Sequence, residues 1–217
     1  MKTALVSWSG GKDSCYALMM AIRQGLQPAA LLNMMNEHGK VSRSHAIPLP
    51  VLRLQAKAMG NIPLYTVPAS WSAYEKEYIA ALKRIKKEQE VNCVVFGDID
   101  LQPHRDWEEK VAHAAHMEAI LPLWQMDRFK LAGQMIADSV EAVIVSCQPS
   151  LADNFLGQPV TTELISALEA MGVDACGENG EFHTLVVNCP LFSNRIKVEF
   201  GKKLIYRDYC FIEMISR

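Results

Sequence analysis

The sequence predicts an α/β fold, in which an open parallel sheet with helices on both faces is followed by a smaller C-terminal α+β domain. Short apolar runs alternate with amphipathic segments of helical length through residues 1–124, which is typical of a parallel sheet covered on both faces. Residues 195–200 alternate charged and apolar side chains, as a one-sided strand does. We therefore predict two domains, 1–124 and 125–217.

The elements of the first domain follow a βαβ order. Glycines at positions 25 and 60 are expected to end its first two helices, because glycine is the usual residue just after a helix. The predicted strands read ALVSW, AALLNMM, PLYTV, NCVVFGD and ILPLW.

Composition excludes several classes of protein. The 217 residues are 50% hydrophobic with a formal net charge of −2, which excludes disorder and gives no sign of a basic nucleic-acid surface. The six cysteines form no C-x-x-C pair, and no apolar stretch reaches membrane-spanning length. We expect a soluble cytoplasmic protein with neither a membrane nor a nucleic-acid partner; the oligomeric state stays open, with a homodimer among the alternatives.

The segment SGGKDS, here called the SGGKDS loop, joins the first strand to the first helix. Its glycines, Gly10 and Gly11, allow the backbone to approach a ligand closely, and the start of a helix attracts anions. Lys12 adds an ammonium group, and Ser9 and Ser14 add hydroxyl donors. This combination predicts a phosphate site.

Asp13 would repel a phosphate unless it caps the helix or shares a divalent cation with that phosphate. Magnesium is therefore expected. The Walker motif is excluded because Val6 stands where its first glycine belongs, and the dinucleotide fingerprint is excluded because Gly10 and Gly11 are adjacent.

Three strand ends are expected to converge at the edge of the sheet where ligands of such folds bind. They begin at Ser7, Asn33 and Gly97, and the last of them contains Asp98.

A second polar segment, Gly177–Thr184 or GENGEFHT, is here called the glutamate motif. A simple turn needs only Asn179 and Gly180, so Glu178, Glu181 and His183 are surplus to it. An exposed loop, a metal site and a substrate clamp are the alternatives; the spacing disfavours a transition metal, and the residues alone favour the exposed loop.

SGGKDS, FGDI (96–99), PLW (122–124) and CGENGEFHTLVVNCPLF (176–192) together resemble the diphthine ammonia ligase family of N-type ATP pyrophosphatases. The resemblance implies a HUP-type, adenine nucleotide alpha hydrolase-like ATP domain followed by a substrate-binding domain. It also implies cleavage of ATP to AMP and pyrophosphate, adenylation of a carboxylate, and its amidation by ammonia. In that family the carboxylate belongs to diphthine on elongation factor 2. The glutamate motif departs from the eukaryotic pattern Gly-Gly-Glu-Tyr-Glu-Thr at Asn179, Phe182 and His183, as bacterial relatives do, so the carboxylate substrate is left open.

The strand ends and the resemblance together give the predicted site. The catalytic residues are Lys12, Asp13, Glu178 and Glu181, and Asp13 and Asp98 are the magnesium ligands. ATP-binding residues are Ser7, Ser9, Gly10, Gly11, Lys12, Asp13, Ser14, Asn33, Gly97 and Asp98; substrate-binding residues are Arg105, Gly177, Glu178, Asn179, Gly180, Glu181, His183 and Thr184. His45 and His104 receive no role.

Two other functions remain compatible with these motifs. One is a non-catalytic protein that binds or senses adenine nucleotides. The other is an ATP pyrophosphatase that modifies RNA or transfers sulfur.

Overall fold

The computed structural model describes residues 2–206 and 208–217. The elements in chain order are β1 (Lys2–Ser7), α1 (Lys12–Arg23), β2 (Leu26–Met35), α2 (Leu49–Ala58), β3 (Leu64–Pro68), α3 (Tyr74–Gln89), β4 (Cys93–Val95), α4 (Gln102–Ala114), β5 (Glu118–Ile120), α5 (Arg128–Ala137), β6 (Glu141–Cys147), α6 (Pro149–Phe155), α7 (Thr162–Ala170), β7 (Phe182–Asn188), β8 (Val198–Tyr206) and β9 (Tyr209–Ser216). In the part of the chain so described, no helix is long and apolar enough to cross a membrane.

The chain forms two compact units that do not follow one boundary in the sequence. The first unit contains residues up to Ser9, Asp13–Arg43 and Asn61–Gln125. The second contains Gly10–Lys12, Ser44–Gly60 and Met126–Arg217. The predicted change of domain near residue 124 thus coincides with the last change of unit, but two earlier segments also belong to the second unit. The assignment of ATP binding and substrate binding to separate domains stays a prediction.

The first unit is built on a parallel sheet of five strands in the order β3-β2-β1-β4-β5. Both faces of the sheet are covered. Leu5 and Val94 are paired neighbours in the core that α3 and α4 pack against, with Leu82 and Val111 from those helices. The next residue, Val6, points to the opposite face and is also fully buried. The predicted α/β sheet is therefore confirmed.

The fifth strand lies earlier in the chain than predicted. We expected it at 120–124, whereas β5 ends at Ile120 and the chain then turns, with Trp124 N donating to Leu121 O at 3.2 Å. Pro122 explains the difference, because a proline has no N–H to donate to a neighbouring strand.

The second unit contains an antiparallel sheet of four strands in the order β7-β6-β9-β8, which confirms the predicted α+β domain. Helix α2 belongs to this unit although the sequence places it between β2 and β3. It packs against β9, and Ser193 N donates to the carbonyl oxygen of Ala58, the last residue of the helix, at 2.7 Å. The predicted order of strand, helix and strand is confirmed, because β2 and β3 are parallel neighbours with α2 between them in the sequence. The unit to which α2 belongs was not predicted, because apolar periodicity identifies a helix but not the sheet that it covers.

The carboxyl ends of three strands lie side by side in the first unit, as predicted. Ser7 pairs with Leu32 on β2, and Val6 pairs with Val95 on β4. Strand order reverses between β1 and β4, the position at which open α/β sheets bind ligands. Gly97 follows β4 and lies against the first turn of α1, where a β-carbon would be 2.9 Å from Ser14 N.

We expect Gly97→Ala to destabilise the protein by about 1–3 kcal/mol, because the new methyl group would press on the backbone of α1 rather than on a movable side chain. The matched control is Gly133→Ala in α5, where nothing lies within 4 Å of the added carbon. This control should stabilise the helix by about 0.5–1 kcal/mol. Urea unfolding measures both changes, and equal effects of the two substitutions would contradict this account of Gly97.

Candidate active site

The middle of the SGGKDS loop, Gly10–Lys12, is attached to β7 within the second unit. Gly10 has φ +88°, a conformation that favours glycine, and its carbonyl oxygen accepts hydrogen bonds from Val186 N at 2.9 Å and Gln55 Nε2 at 2.9 Å. Gly11 lies under the His45 ring, and a β-carbon there would collide with that ring and approach Thr184 O to 3.1 Å. Both glycines are thus required by close contacts in the loop.

Lys12 connects the loop to the glutamate motif. Its backbone N–H donates to Thr184 Oγ1 at 3.0 Å, and its ammonium donates to Cys176 O at 2.5 Å. The ammonium also lies 5.5 Å from the centroid of the Phe182 ring, a cation–π distance. Only 3% of Lys12 is exposed. The predicted phosphate-binding lysine therefore contacts the second predicted motif directly.

Asp174 organises the start of the glutamate motif, and the sequence analysis did not identify it. Its carboxylate accepts hydrogen bonds from Cys176 N at 3.0 Å, Glu178 N at 2.8 Å and Arg128 Nη1 at 2.6 Å. A carboxylate that bonds the backbone two and four residues later forms an Asx-type turn. The signal in the sequence is an aspartate shortly before Gly177, which has φ +72°.

The rest of the motif forms a closed turn. The Glu181 carboxylate accepts hydrogen bonds from Asn179 N at 3.0 Å and Asn179 Nδ2 at 3.1 Å. Gly180 has φ +81°, and its carbonyl oxygen accepts a hydrogen bond from Tyr209 Oη at 2.7 Å. These bonds fix Glu181 against its own turn, while Glu178 is partly buried at its start.

Two histidine rings lie beside the loop. The ring centroids of His45 and His183 are 4.8 Å apart. His45 Nδ1 lies 2.7 Å from Thr184 O, and because a carbonyl oxygen only accepts, Nδ1 carries the proton. Burial, together with the nearby His45 and Lys12, lowers the pKa of His183 to about 3. His183 is therefore neutral at physiological pH.

The first unit contains the predicted residues at the strand ends. Ser7 Oγ accepts a hydrogen bond from Tyr78 Oη at 2.9 Å, and Asn33 Nδ2 donates to the carbonyl oxygen of Trp8 at 2.7 Å. The hydroxyls of Ser9 and Ser14, on the two sides of the glycines, are 3.0 Å apart. The two glycines thus lie in a short segment between β1 and α1 whose two ends are close together.

Asp98 lies just beyond the end of β4, and its Oδ1 is 2.6 Å from His104 Nδ1. Burial raises the pKa of Asp98, but hydrogen bonds from His104 and Glu108 outweigh burial and hold the pKa below its ordinary value. Glu108 is only 4% exposed and was not identified from the sequence, because a glutamate in a polar helix is usually on the surface.

Arg105, predicted to bind substrate, makes local contacts. Its Nε donates to Glu109 Oε1 at 2.7 Å, and its guanidinium lies 4.9 Å from the centroid of the Trp124 ring. The i,i+4 pair and the stacking account for its position on α4.

Comparison with known proteins identifies the family. The diphthamide synthase N-terminal domain matches residues 1–119, and the diphthamide synthase C-terminal domain matches residues 127–217. The chain belongs to the diphthamide synthase family. Diphthine–ammonia ligase of Rattus norvegicus is 29% identical over 223 residues, which cover 91% of this chain and 83% of the rat protein. The enzyme of that name from Homo sapiens is 28% identical over 224 residues, with the same two coverages.

One solved structure with similarity to this chain is described as a predicted subunit of a tRNA methyltransferase from Methanocaldococcus jannaschii. Its sequence identity is 17% and its TM-score 0.46, and the match covers 87% of this chain and 98% of that one.

The diphthamide synthase fold brings the predicted residues together in two groups. In the second unit, Gly11 and Lys12 contact Thr184 of the glutamate motif, Lys12 also donates to Cys176 O just before that motif, and Gly10 accepts from Val186 N just after it. In the first unit, Gly97 contacts the backbone of Asp13 and Ser14, and Asp98 follows it. Within each unit, the motifs predicted from the sequence are neighbours.

Magnesium suits the carboxylates of the first unit. In the described residues, no group of three or more His, Cys, Asp or Glu side chains is arranged to hold a metal. Mg²⁺ commonly uses only one or two carboxylates, with phosphate oxygens and water as the other ligands. Asp13 and Asp98 provide two, on backbone segments that Gly97 brings together, and Asp98 is held in its charged form. The donor set fits a magnesium ion that is shared with a nucleotide.

We expect His183 to contribute to loss of stability in acid. Its pKa is about 3 in the folded protein and 6.5 ordinarily, so between these values the unfolded chain binds more protons and the free energy of unfolding falls as pH drops. His183→Phe should therefore lose less stability than wild type on going from about pH 6.5 to about pH 5, by about 1–2 kcal/mol.

Urea unfolding at several pH values measures this difference, with the same substitution at solvent-exposed His38 as the matched control. Parallel curves for wild type and His183→Phe would show that His183 does not titrate in this way.

Proposed function

We propose that this protein is an ATP-dependent ligase that cleaves ATP to AMP and pyrophosphate, adenylates a carboxylate, and amidates it with ammonia. The curated relatives named diphthine–ammonia ligase support an amide-forming reaction. The SGGKDS loop supports a phosphate-bearing substrate, because its backbone conformation and its lysine suit an anion.

One observation carries the proposal. Lys12 donates through its backbone to Thr184 Oγ1 and through its ammonium to Cys176 O, so the loop and the glutamate motif form one hydrogen-bonded structure in the second unit. Activation of a carboxylate requires the phosphate and the acyl group to react at one place. A phosphate loop bonded to an acidic motif meets this requirement.

In the proposed reaction, a carboxylate oxygen of the substrate attacks the α-phosphorus of ATP, and pyrophosphate leaves. Ammonia then attacks the acyl carbon, AMP leaves, and one proton is released. Lys12 would balance the charge of the phosphates, and Glu178 or Glu181 would accept the proton, as a general base does. Asp13 and Asp98 would hold Mg²⁺, which supplies positive charge to the phosphates.

We propose that the carboxylate substrate resembles that of diphthine. Asn179, Phe182 and His183 differ from the eukaryotic motif, and these differences would allow a different molecule to bind. Elongation factor 2 as its carrier, a homodimeric assembly and a cytoplasmic location stay predictions. The roles of Gly177, Asn179, Gly180 and His183 in substrate binding are part of the same proposal.

We expect incubation with ATP, magnesium, ammonium and fractionated host lysate to give AMP and pyrophosphate, identified by mass spectrometry. Lys12→Met should abolish both products, because it keeps much of the side-chain length and removes the charge. Lys40→Met, at an exposed lysine, is the matched control and should retain activity. A melting curve for each variant shows whether it is folded.

Other products would support other functions. ADP as the only nucleotide product would refute the adenylating reaction. ATP that binds but is never cleaved would favour the nucleotide-binding alternative. Turnover that requires a sulfur donor or RNA would favour the sulfur- or RNA-modifying alternative.

A further inference from the structure

Gln55 is a polar side chain in the apolar interior of the second unit. It comes from the middle of α2 and is fully buried. Its Nε2 donates to two backbone oxygens, Gly10 O at 2.9 Å and Val186 O at 2.8 Å. Burial of an amide is unfavourable unless hydrogen bonds to the protein replace those to water. A glutamine at this buried position therefore calls for a structural reason.

Gln55 is not needed merely to give the Gly10 carbonyl oxygen a hydrogen bond. The Gly10 carbonyl already accepts a hydrogen bond from Val186 N at 2.9 Å. The bond from Gln55 occupies the second acceptor position of the same oxygen. Two donors from different directions fix the direction of a carbonyl, whereas one donor permits it to swing.

The direction of this carbonyl sets the direction of the next amide. The peptide group between Gly10 and Gly11 is planar and trans, so its C=O and N–H point in opposite directions. With the oxygen held toward Val186 and Gln55, the Gly11 N–H points away from them. Glycine on both sides also makes the flipped peptide sterically accessible, since neither residue has a β-carbon.

We infer that Gln55 is a positioning residue that locks the Gly10–Gly11 peptide in the orientation that binds an anionic phosphate or pyrophosphate group. The inference rests on the proposed phosphate-binding role of the SGGKDS loop. Gln55 acts through the loop and touches no phosphate itself. His45 limits the loop from another side, because its ring lies against Gly11.

The test compares the binding of ATP, pyrophosphate and adenosine by calorimetry. Gln55→Met keeps the approximate volume and removes both donors, and Gln55→Glu as a carboxylate offers only acceptors to two carbonyl oxygens. Both variants should bind ATP and pyrophosphate at least about tenfold more weakly, while adenosine binding stays unchanged. The matched control is Gln134→Met, because Gln134 is an exposed glutamine that donates to Asp138 at 3.2 Å.

The outcomes separate the positioning role of Gln55 from a structural role and from the proposed function. Equal affinities for ATP in wild type and Gln55→Met would overturn the positioning role and leave the proposed function intact. An equal loss for adenosine would assign Gln55 a merely structural role. Wild-type protein that binds neither ATP nor pyrophosphate would overturn the phosphate site and, with it, this inference.

A second measurement uses wild-type protein and does not depend on the folding of a variant. In NMR spectra, the backbone amide of Gly11 should give a single resonance, as expected for one conformer. This resonance should shift when pyrophosphate is added. An unmoved Gly11 resonance in the presence of bound pyrophosphate would overturn the inference.

Discussion

The hydrogen bonds between the SGGKDS loop and β7 are the constraint on which the candidate site depends. The carbonyl oxygen of Gly10 accepts from Val186 N, and the backbone N–H of Lys12 donates to Thr184 Oγ1. These bonds attach Gly10–Lys12 to β7, the outer strand of the antiparallel sheet. A phosphate loop needs a fixed backbone, because amides that must reorient on binding lose part of the affinity that they provide.

The same constraint explains why helix α2 belongs to the second unit. The segment from Ser44 to Gly60 supplies the His45 ring that covers Gly11 and the Gln55 amide that holds Gly10. A side chain at either glycine would occupy the space that these two residues fill. Conformational freedom at Gly10 and close approach at Gly11 are therefore separate reasons for two adjacent glycines.

Sequence reasoning identified those features that depend on local chemistry. The SGGKDS loop, the glutamate motif and the strand ends at Ser7 and Gly97 were found because turn residues and apolar periodicity are visible in short segments. Residues that act across the chain were missed. Gln55 and Glu108 look like ordinary helix residues, and only the packing of distant segments makes them buried. Asp174 looks like an ordinary turn residue, and only its hydrogen bond from Arg128 joins distant parts of the chain.

The position of β5 and the membership of α2 illustrate the same division. The fifth strand was predicted too late in the chain because Pro122 was included in it. A proline has no N–H to donate to a neighbouring strand, which becomes decisive once the pairing of the strands is known. The periodicity of α2 does not show which sheet the helix covers. An apolar helix face indicates that the face is buried, but it does not identify the element that packs against it. The division into units therefore follows from long-range pairs such as Gln55 with Val186, which a linear pass along the sequence does not contain.

Lys12 shows how burial and binding are related at this site. An ammonium that is 3% exposed needs acceptors, and the carbonyl oxygen of Cys176 and the face of the Phe182 ring are two of its partners. The low pKa of His183 results mainly from burial of the ring, and the nearby His45 and Lys12 lower it further. A neutral histidine adds no second positive charge next to the Lys12 ammonium in this buried site. The glutamate of the eukaryotic pattern Gly-Gly-Glu-Tyr-Glu-Thr would instead bring a carboxylate to this position, so the substitution at His183 changes the charge next to Lys12.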